Sequence, residues 1–327
     1  MAMKILNVDP PAPPVSREEA SRSFERGVDW ALAHAERLSA DARTAVLAGL
    51  RLADPPRAEM EGAPLRKRPE IRLSPVGKVL DVLSLGVVSR RIGERRRREN
   101  AFFELIEKDP SPLARQDLDA FRRTPDSLPG SVEEMQRVDG PRSNAALTQA
   151  SLGRVEEPVL SWLRREDLWG YDLSHQLLAW VVCVKLGHRL DEARERSGRL
   201  AWRLFHEIAH CALPVHYDLA VERVAFLGLA GFPRVLLNEE YRRILSSQDP
   251  RDGGWWFTRN PADQRAMLDN AHLGASPLVR PARPYREQPG AEAVLERIEF
   301  LHRGHATGLS LWALGLLLGS PAGDTQS

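Results

Sequence analysis

Cysteine is almost missing from this chain: there are two in 327 residues, Cys183 and Cys211. Both fall inside apolar helical patterns, so the sequence predicts buried reduced thiols rather than a disulfide framework, and with them a reducing cytoplasm. Long hydrophobic runs are missing too. The longest, Thr307 to Leu318, is too short to span a bilayer. Residues 1–14 lack the charged-then-apolar layout of a signal peptide. Neither sign of charge is in excess: 46 Lys and Arg nearly cancel 45 Asp and Glu, leaving +1, which gives no general drive toward nucleic acid or a membrane surface. No segment carries a convincing strand pattern. What the chain has in quantity is Ala, Leu, Arg and Glu, all good helix formers. The expectation is a soluble, cytoplasmic, all-α protein, long enough for one large domain or two ordinary ones.

Along the chain, residues 1–14 read as a disordered proline-rich leader and residues 320–327 as a disordered tail. Ser16 and Glu19 form a capping box for a helix running to about Leu38, and a second helix runs from Asp41 to about Leu52. Asp54-Pro55-Pro56 stops it, and residues 53–75 read as loop. The apolar segment Val76 to Val88 precedes an arginine-rich run, Ser89 to Glu99, which reads either as a contact for phosphate or an acidic partner or as a solvated helix face paired with Glu94, Glu99, Glu104 and Glu107. Residues 109–143 are again rich in turn signals. Residues 15–143 are thus expected to be a helical N-terminal region with long loops.

From residue 144 to 319 the pattern becomes regular. An amphipathic helix is expected over 144–166. Asp172 then caps an apolar helix, Leu173 to Leu186, which Gly187 ends. A charged helix follows from Asp191 to about Cys211. Asp218 caps a second apolar helix, Leu219 to Leu229, and a charged one runs from Pro233 to Leu245. Ala291 to Leu301 repeats the charged type and Thr307 to Leu318 the apolar type. Tyr171-Asp172-Leu173 and Tyr217-Asp218-Leu219 mark the repeat, roughly 46 residues apart. Helices apolar all round are buried, and charged ones lie outside them. The alternation predicts inner and outer rings of an α/α toroid, a barrel of helical hairpins.

The loop Gln248-Asp249-Pro250-Arg251-Asp252-Gly253-Gly254-Trp255-Trp256 carries a family resemblance. It resembles the Gln-Trp motif, Q-x-x-D-G-x-W, of terpenoid cyclases and the related protein prenyltransferase toroids, with one extra residue between Gln248 and Asp252. The resemblance implies a loop that ties neighbouring hairpins together, with glutamine and acid at helix ends and tryptophan packed between. His305 to Leu314 is similar to the start of an inner toroid helix. The resemblance spans about residues 145–320 and concerns architecture. The D-x-D-D and D-D-x-x-D motifs of prenyl cyclisation are missing, and Asp117-Leu118-Asp119 is only a fragment. Cyclisation of a prenyl chain is therefore not expected.

Two constellations carry chemistry. His206-Glu207-Ile208-Ala209-His210 fits H-E-x-x-H, with both imidazoles on one helix face, Glu207 as base for a zinc-bound water and His216 as third ligand. A metzincin needs glycine where this chain has Leu213, and a sheet that no segment supplies. The second constellation is the set of polar residues in the first turns of the apolar helices: Asp172 and His175, Asp218 and Glu222, His302 and His305. Inner helices of a barrel run in one direction, so these groups gather at one rim. Capping explains the aspartates; His175, Glu222 and His305 interrupt apolar stripes and need partners. Three functions follow. The first is a rim site that binds or modifies an apolar small molecule or peptide segment through Glu222, His175 and His305, with room for a metal ion. The second is a zinc hydrolase using His206, Glu207, His210 and His216. The third is a non-catalytic helical scaffold.

Overall fold

Ser16 is extended and its hydroxyl accepts the Glu19 N–H at 3.1 Å, so the first helix, α1 (Arg17–Ala33), starts from the serine the sequence nominates. The computed structural model describes residues 14–66, 130–131, 134–135, 139–210, 217–232, 237–256 and 291–319. α1 ends at Ala33 rather than near Leu38, because residues 34–37 close as turns and His34 Nδ1 binds the Trp30 carbonyl at 2.7 Å. Ser39 caps α2 (Ala40–Ala53). The expected loop is then corrected over residues 55–66, which form α3 (Pro55–Glu61) and α4 (Ala63–Arg66). Asp54 accepts the Arg57 N–H, and both prolines sit in the first turn, where a missing N–H leaves no bond unmade. The leader over 1–13, Val76 to Val88, the arginine run, Asp117 to Asp119 and the tail lie outside the described residues.

The helix expected over 144–166 is two: α5 (Gly140–Ser151) and α6 (Val159–Leu163). Gly153, at φ 65°, and Pro158 break the run between them. Then come α7 (Gly170–Leu186), α8 (Leu190–His210), α9 (Tyr217–Leu229) and α10 (Asn238–Ser247). α7 and α9 are buried nearly all round, whereas α8 and α10 are amphipathic. α7 does end at Gly187, a left-handed cap at φ 67°. Neither Asp172 nor Asp218 is an N-cap, because α7 and α9 begin earlier and place both aspartates inside the first turn. A further correction concerns the C-terminal pair of helices. They are one rod, α11 (Ala291–Leu318). Gly304, inside the expected gap, is helical, and its bare face admits Leu38; a Cβ there would lie 2.7 Å from Leu38 Cδ2.

Four helices lie side by side in the order α2, α11, α9, α7, all pointing the same way. Ala42 of α2 meets Gly308 of α11, Gly49 meets Gly315, and Leu52 meets Gly319. Between α9 and α11, Asp218 meets His305 at one end and Gly228 meets Leu316 at the other. Tyr171 of α7 reaches Asp218, and Ser174 reaches Glu222. The first turns of α2, α7 and α9 therefore come to one end, against the middle of α11. Each bears an acid (Asp41, Asp172, Asp218), which offsets the positive ends of the aligned helix dipoles. α11 continues past this end by the stretch 291–304, about 21 Å at 1.5 Å per residue. α1 packs antiparallel on it, with Trp30 stacked on Phe300 at 5.8 Å and Gly27 under Leu311.

The protein is all-α. No strand is present among the described residues, and Gln248 and Trp255 make an isolated antiparallel bridge. No helix among them is long and apolar enough to cross a membrane. Cys183 is buried, and burial pushes its thiol up to about 12, so it packs as an inert apolar group. Cys211 lies outside the described residues.

Candidate functional site: the polar rim of the parallel helices

Where the first turns of α7 and α9 meet α11, the structure brings His175, Glu222 and His305 into one cluster. His305 Nδ1 donates to Asp218 Oδ1 at 2.7 Å, and Tyr171 donates its hydroxyl to the other oxygen at 3.1 Å. One turn further in, Glu222 accepts a short hydrogen bond from Ser174 and lies 3.6 Å from His175 Nδ1. His175 Nδ1 also sits 2.6 Å from the Tyr171 carbonyl. A carbonyl only accepts, so this nitrogen carries a proton and Nε2 is the ring nitrogen left to face outward. Tyr217 and Ser310 close the α9–α11 side at 2.9 Å, with Ser310 donating to the Ala306 carbonyl. Beneath the polar layer, His175 meets the edge of Phe226, and Phe226 meets Trp312. These rings form an apolar floor.

Burial separates the two kinds of group. The Asp218 and Glu222 side chains are each 4 % exposed, whereas the rings of His175 and His305 are 22 % and 34 % exposed. The histidines reach solvent and the carboxylates stand behind them. No described residue bonds Nε2 of either ring. Asp172 does not join this cluster: its carboxylate accepts the Asp139 N–H at 2.9 Å.

Electrostatics pushes the two carboxylates apart. Burial alone would raise Asp218, but the His305 charge and hydrogen bond, then the Tyr171 hydroxyl, outweigh it and hold the group below the usual range. Glu222 goes the other way: burial raises it, the neighbouring Asp218 charge adds to that, and His175 and Ser174 only partly oppose it. Burial lowers His305, but the Asp218 charge and hydrogen bond overcome this and raise it to about 9. The signs define a window. The Asp218 contribution to stability is present above about pH 4, the unfolded carboxylate value, and is lost as pH falls through its depressed folded value. The His305 contribution is complete below about pH 6.5 and is lost as pH rises through about 9. NMR titration should place His305 near 9 in the native protein. Asp218→Asn should lower it markedly, because burial is then opposed only by the weaker charges of Glu222 and Asp41. A native midpoint near 6.5 would show that the pair is not formed.

The H-E-x-x-H residues sit elsewhere. His206 is buried on α8, edge-on to Trp202 at 4.8 Å and Phe205 at 5.6 Å. Glu207, with no exposed surface, pairs with the buried Arg223 of α9 and accepts the Gly170 N–H at 3.0 Å, capping α7 from a neighbouring helix. Gly170 sits so close to Met135 that a Cβ would lie 2.5 Å from the Met135 carbonyl carbon. Burial raises Glu207, and Arg223 with the Gly170 bond restrains the shift. A base for zinc-bound water must face the metal, and this carboxylate is committed to Arg223 and Gly170. The His210 side chain and all of His216 lie outside the described residues. Among the described residues no three His, Cys, Asp or Glu side chains are grouped to hold a metal.

The Gln248 loop knots three helices. Gln248 ends α10, donates to the Ser23 carbonyl of α1 at 2.7 Å and accepts from the Ser23 hydroxyl at 2.8 Å. Trp255 is fully buried, donates its indole N–H to the Ile244 carbonyl at 2.8 Å and takes its backbone N–H to Thr307 of α11 at 2.9 Å. Asp252 pairs with Arg303 of α11. Asp249, which the motif comparison did not single out, bonds Arg251 and Trp256 and is held well below the usual carboxylate range, first by its Arg251 hydrogen bond.

Sequence reasoning passed over the hydroxyls of Tyr171, Ser174, Tyr217 and Ser310, the Phe226–Trp312 floor, and Arg223. Spacing could have found some of them. Tyr171 stands three and four residues before Ser174 and His175, on one helix face. No family model, curated protein or solved structure matches the chain.

Proposed function

We propose that the chain is an α/α toroid with α2, α7, α9 and α11 among its inner helices. We propose further that its polar rim binds or modifies an apolar small molecule or peptide segment by acid–base chemistry. The parallel run of buried helices, their alternation with amphipathic ones, and the knot at Gln248 and Trp255 support the architecture. One observation carries the function: two histidine–carboxylate pairs stand side by side, rings toward solvent and carboxylates buried, above an aromatic floor. A mostly apolar site with a few convergent polar groups is how pockets orient small ligands.

The roles follow from the protonation states. Asp218 keeps His305 cationic at neutral pH, so Nε2–H is a donor to a carbonyl or developing oxyanion. His175, its Nδ1 proton fixed on the Tyr171 carbonyl, offers Nε2 as the base. Glu222 and Ser174 position that ring from behind. Asp218 and Glu222, pushed in opposite directions by their surroundings, are the kind of pair that marks an acid–base site.

The test is thermal denaturation against panels of apolar small molecules and hydrophobic peptides. A ligand at one hundred times its dissociation constant adds about 2.7 kcal/mol of stability. That gain should vanish in His175→Ala and His305→Gln while both variants still fold. Ligands that stabilise the variants as much as the native chain would refute the rim as the site.

A further inference from the structure

A groove of about 530 Å³ runs between α1 and α10 and shares no residue with the rim. Arg22 and Arg26 line it from α1, Arg242 and Arg243 from α10, against two acids, Glu19 and Glu239. Four guanidiniums facing two carboxylates is an uneven balance in a chain whose overall charges nearly cancel. Counterions outside the lining neutralise two of the four and single out the other two. Arg22 pairs with Glu18, and Arg243 with Glu240 at 2.9 Å. Among the described residues Arg26 bonds only a backbone carbonyl, that of Asp249, at 3.0 Å. Arg242 is half-buried, and its Nε is shut off from solvent with no hydrogen-bond partner.

An enclosed guanidinium N–H without an acceptor is costly, and native proteins rarely leave one so. No described residue accepts that N–H, which is closed to the groove as it is to bulk water, while the Arg242 side chain as a whole lines an open volume of metabolite size. The planar fork of arginine matches the oxygens of a phosphate, and arginines on two opposing walls suit more than one phosphate. We infer that this groove is a binding site for a phosphate-bearing ligand, clamped between Arg26 of α1 and Arg242 of α10. Arg22, whose exposed pair with Glu18 is readily exchanged, would close around it, and Arg243, exposed itself but tied to the buried Glu240, would stand beside it.

Calorimetric titration with inorganic pyrophosphate tests this on the full chain. The expected result is saturable one-to-one binding at 150 mM salt, weakened at least tenfold by Arg242→Gln and by Arg26→Gln. Arg154→Ala, an exposed arginine outside the groove, should leave it unchanged. Glutamine keeps most of the packing, and melting curves for each variant guard against misfolding. A parallel arm uses phosphatidylcholine vesicles with and without phosphatidic acid. Vesicle binding lost in the same two variants assigns the phosphate to a lipid headgroup, and its absence alongside pyrophosphate binding assigns it to a soluble ligand. No saturable pyrophosphate binding, or binding indifferent to the Arg26→Gln/Arg242→Gln double variant, overturns the proposal.

Discussion

Arg223→Ala should destabilise the protein by about 3–5 kcal/mol, the usual consequence of stripping one partner from a buried ion pair. Arg223 is 3 % exposed and Glu207 has no exposed surface, so neither water nor a mobile side chain can replace the lost charge. The effect should depend on pH in a definite direction. Burial already raises Glu207 with Arg223 present. Without the guanidinium the folded state favours the neutral acid more strongly, so stability falls as pH rises above the unfolded carboxylate value of about 4.3. Urea denaturation at pH 5 and pH 8 should therefore show the larger deficit at pH 8. The double replacement Glu207→Gln/Arg223→Met should recover much of the loss, because a neutral amide can still accept the Gly170 N–H and a thioether fills the space next to Met135. A deficit under 1 kcal/mol for Arg223→Ala, or one that is the same at both pH values, would show that Glu207 has another partner.

Trp255→Ala should cost about 3–5 kcal/mol, the range for truncating a fully buried tryptophan. The ring fills the contact with Gly27 of α1, and its N–H is bonded to the Ile244 carbonyl at the end of α10. Truncation opens a cavity between α1, α10 and α11 and leaves that carbonyl without its donor. Trp255→Phe separates the two effects. It keeps most of the packing and gives up the hydrogen bond, so about 1–2 kcal/mol is expected. Equal losses for the two variants in chemical denaturation would mean that the bond, and not the ring, holds the knot together.

Which features could be read from the chain follows from where their causes lie. Ser16, Gly187 and the alternation of buried with charged helices are local: a cap or a period is written within a few residues. The boundaries that moved depend on partners distant in sequence. α11 runs through Gly304, whose bare face is filled by Leu38, far away in the chain. α7 begins at Gly170 because Glu207 caps it from another helix. His175, Glu222 and His305 could be nominated because each interrupts an apolar stripe, and the structure brings them together. Tyr171 marks the repeat, but its hydroxyl and that of Ser174 draw no attention, since hydroxyls in a first turn are ordinary. Glu207 is nominated by a short pattern that records spacing alone, and that its carboxylate pairs with Arg223 is a property of the fold.

The glycine face of α11 has a consequence for the site above it. Gly304 and Gly308 flank His305, and with Gly315 and Gly319 they seat the rod directly on α2, where a Cβ at Gly308 would lie 2.8 Å from the Ala42 carbonyl and one at Gly315 2.7 Å from Gly49 Cα. Backbone meets backbone there, which leaves no slack in register. A slip of one residue turns a helix by about 100° and slides it 1.5 Å, enough to break the 2.7 Å bond between His305 and Asp218. α2 thus works as a gauge block that sets the height and rotation of His305. The two ends of the chain, one near its start and one near its close, must both be in place before the imidazole can find its carboxylate.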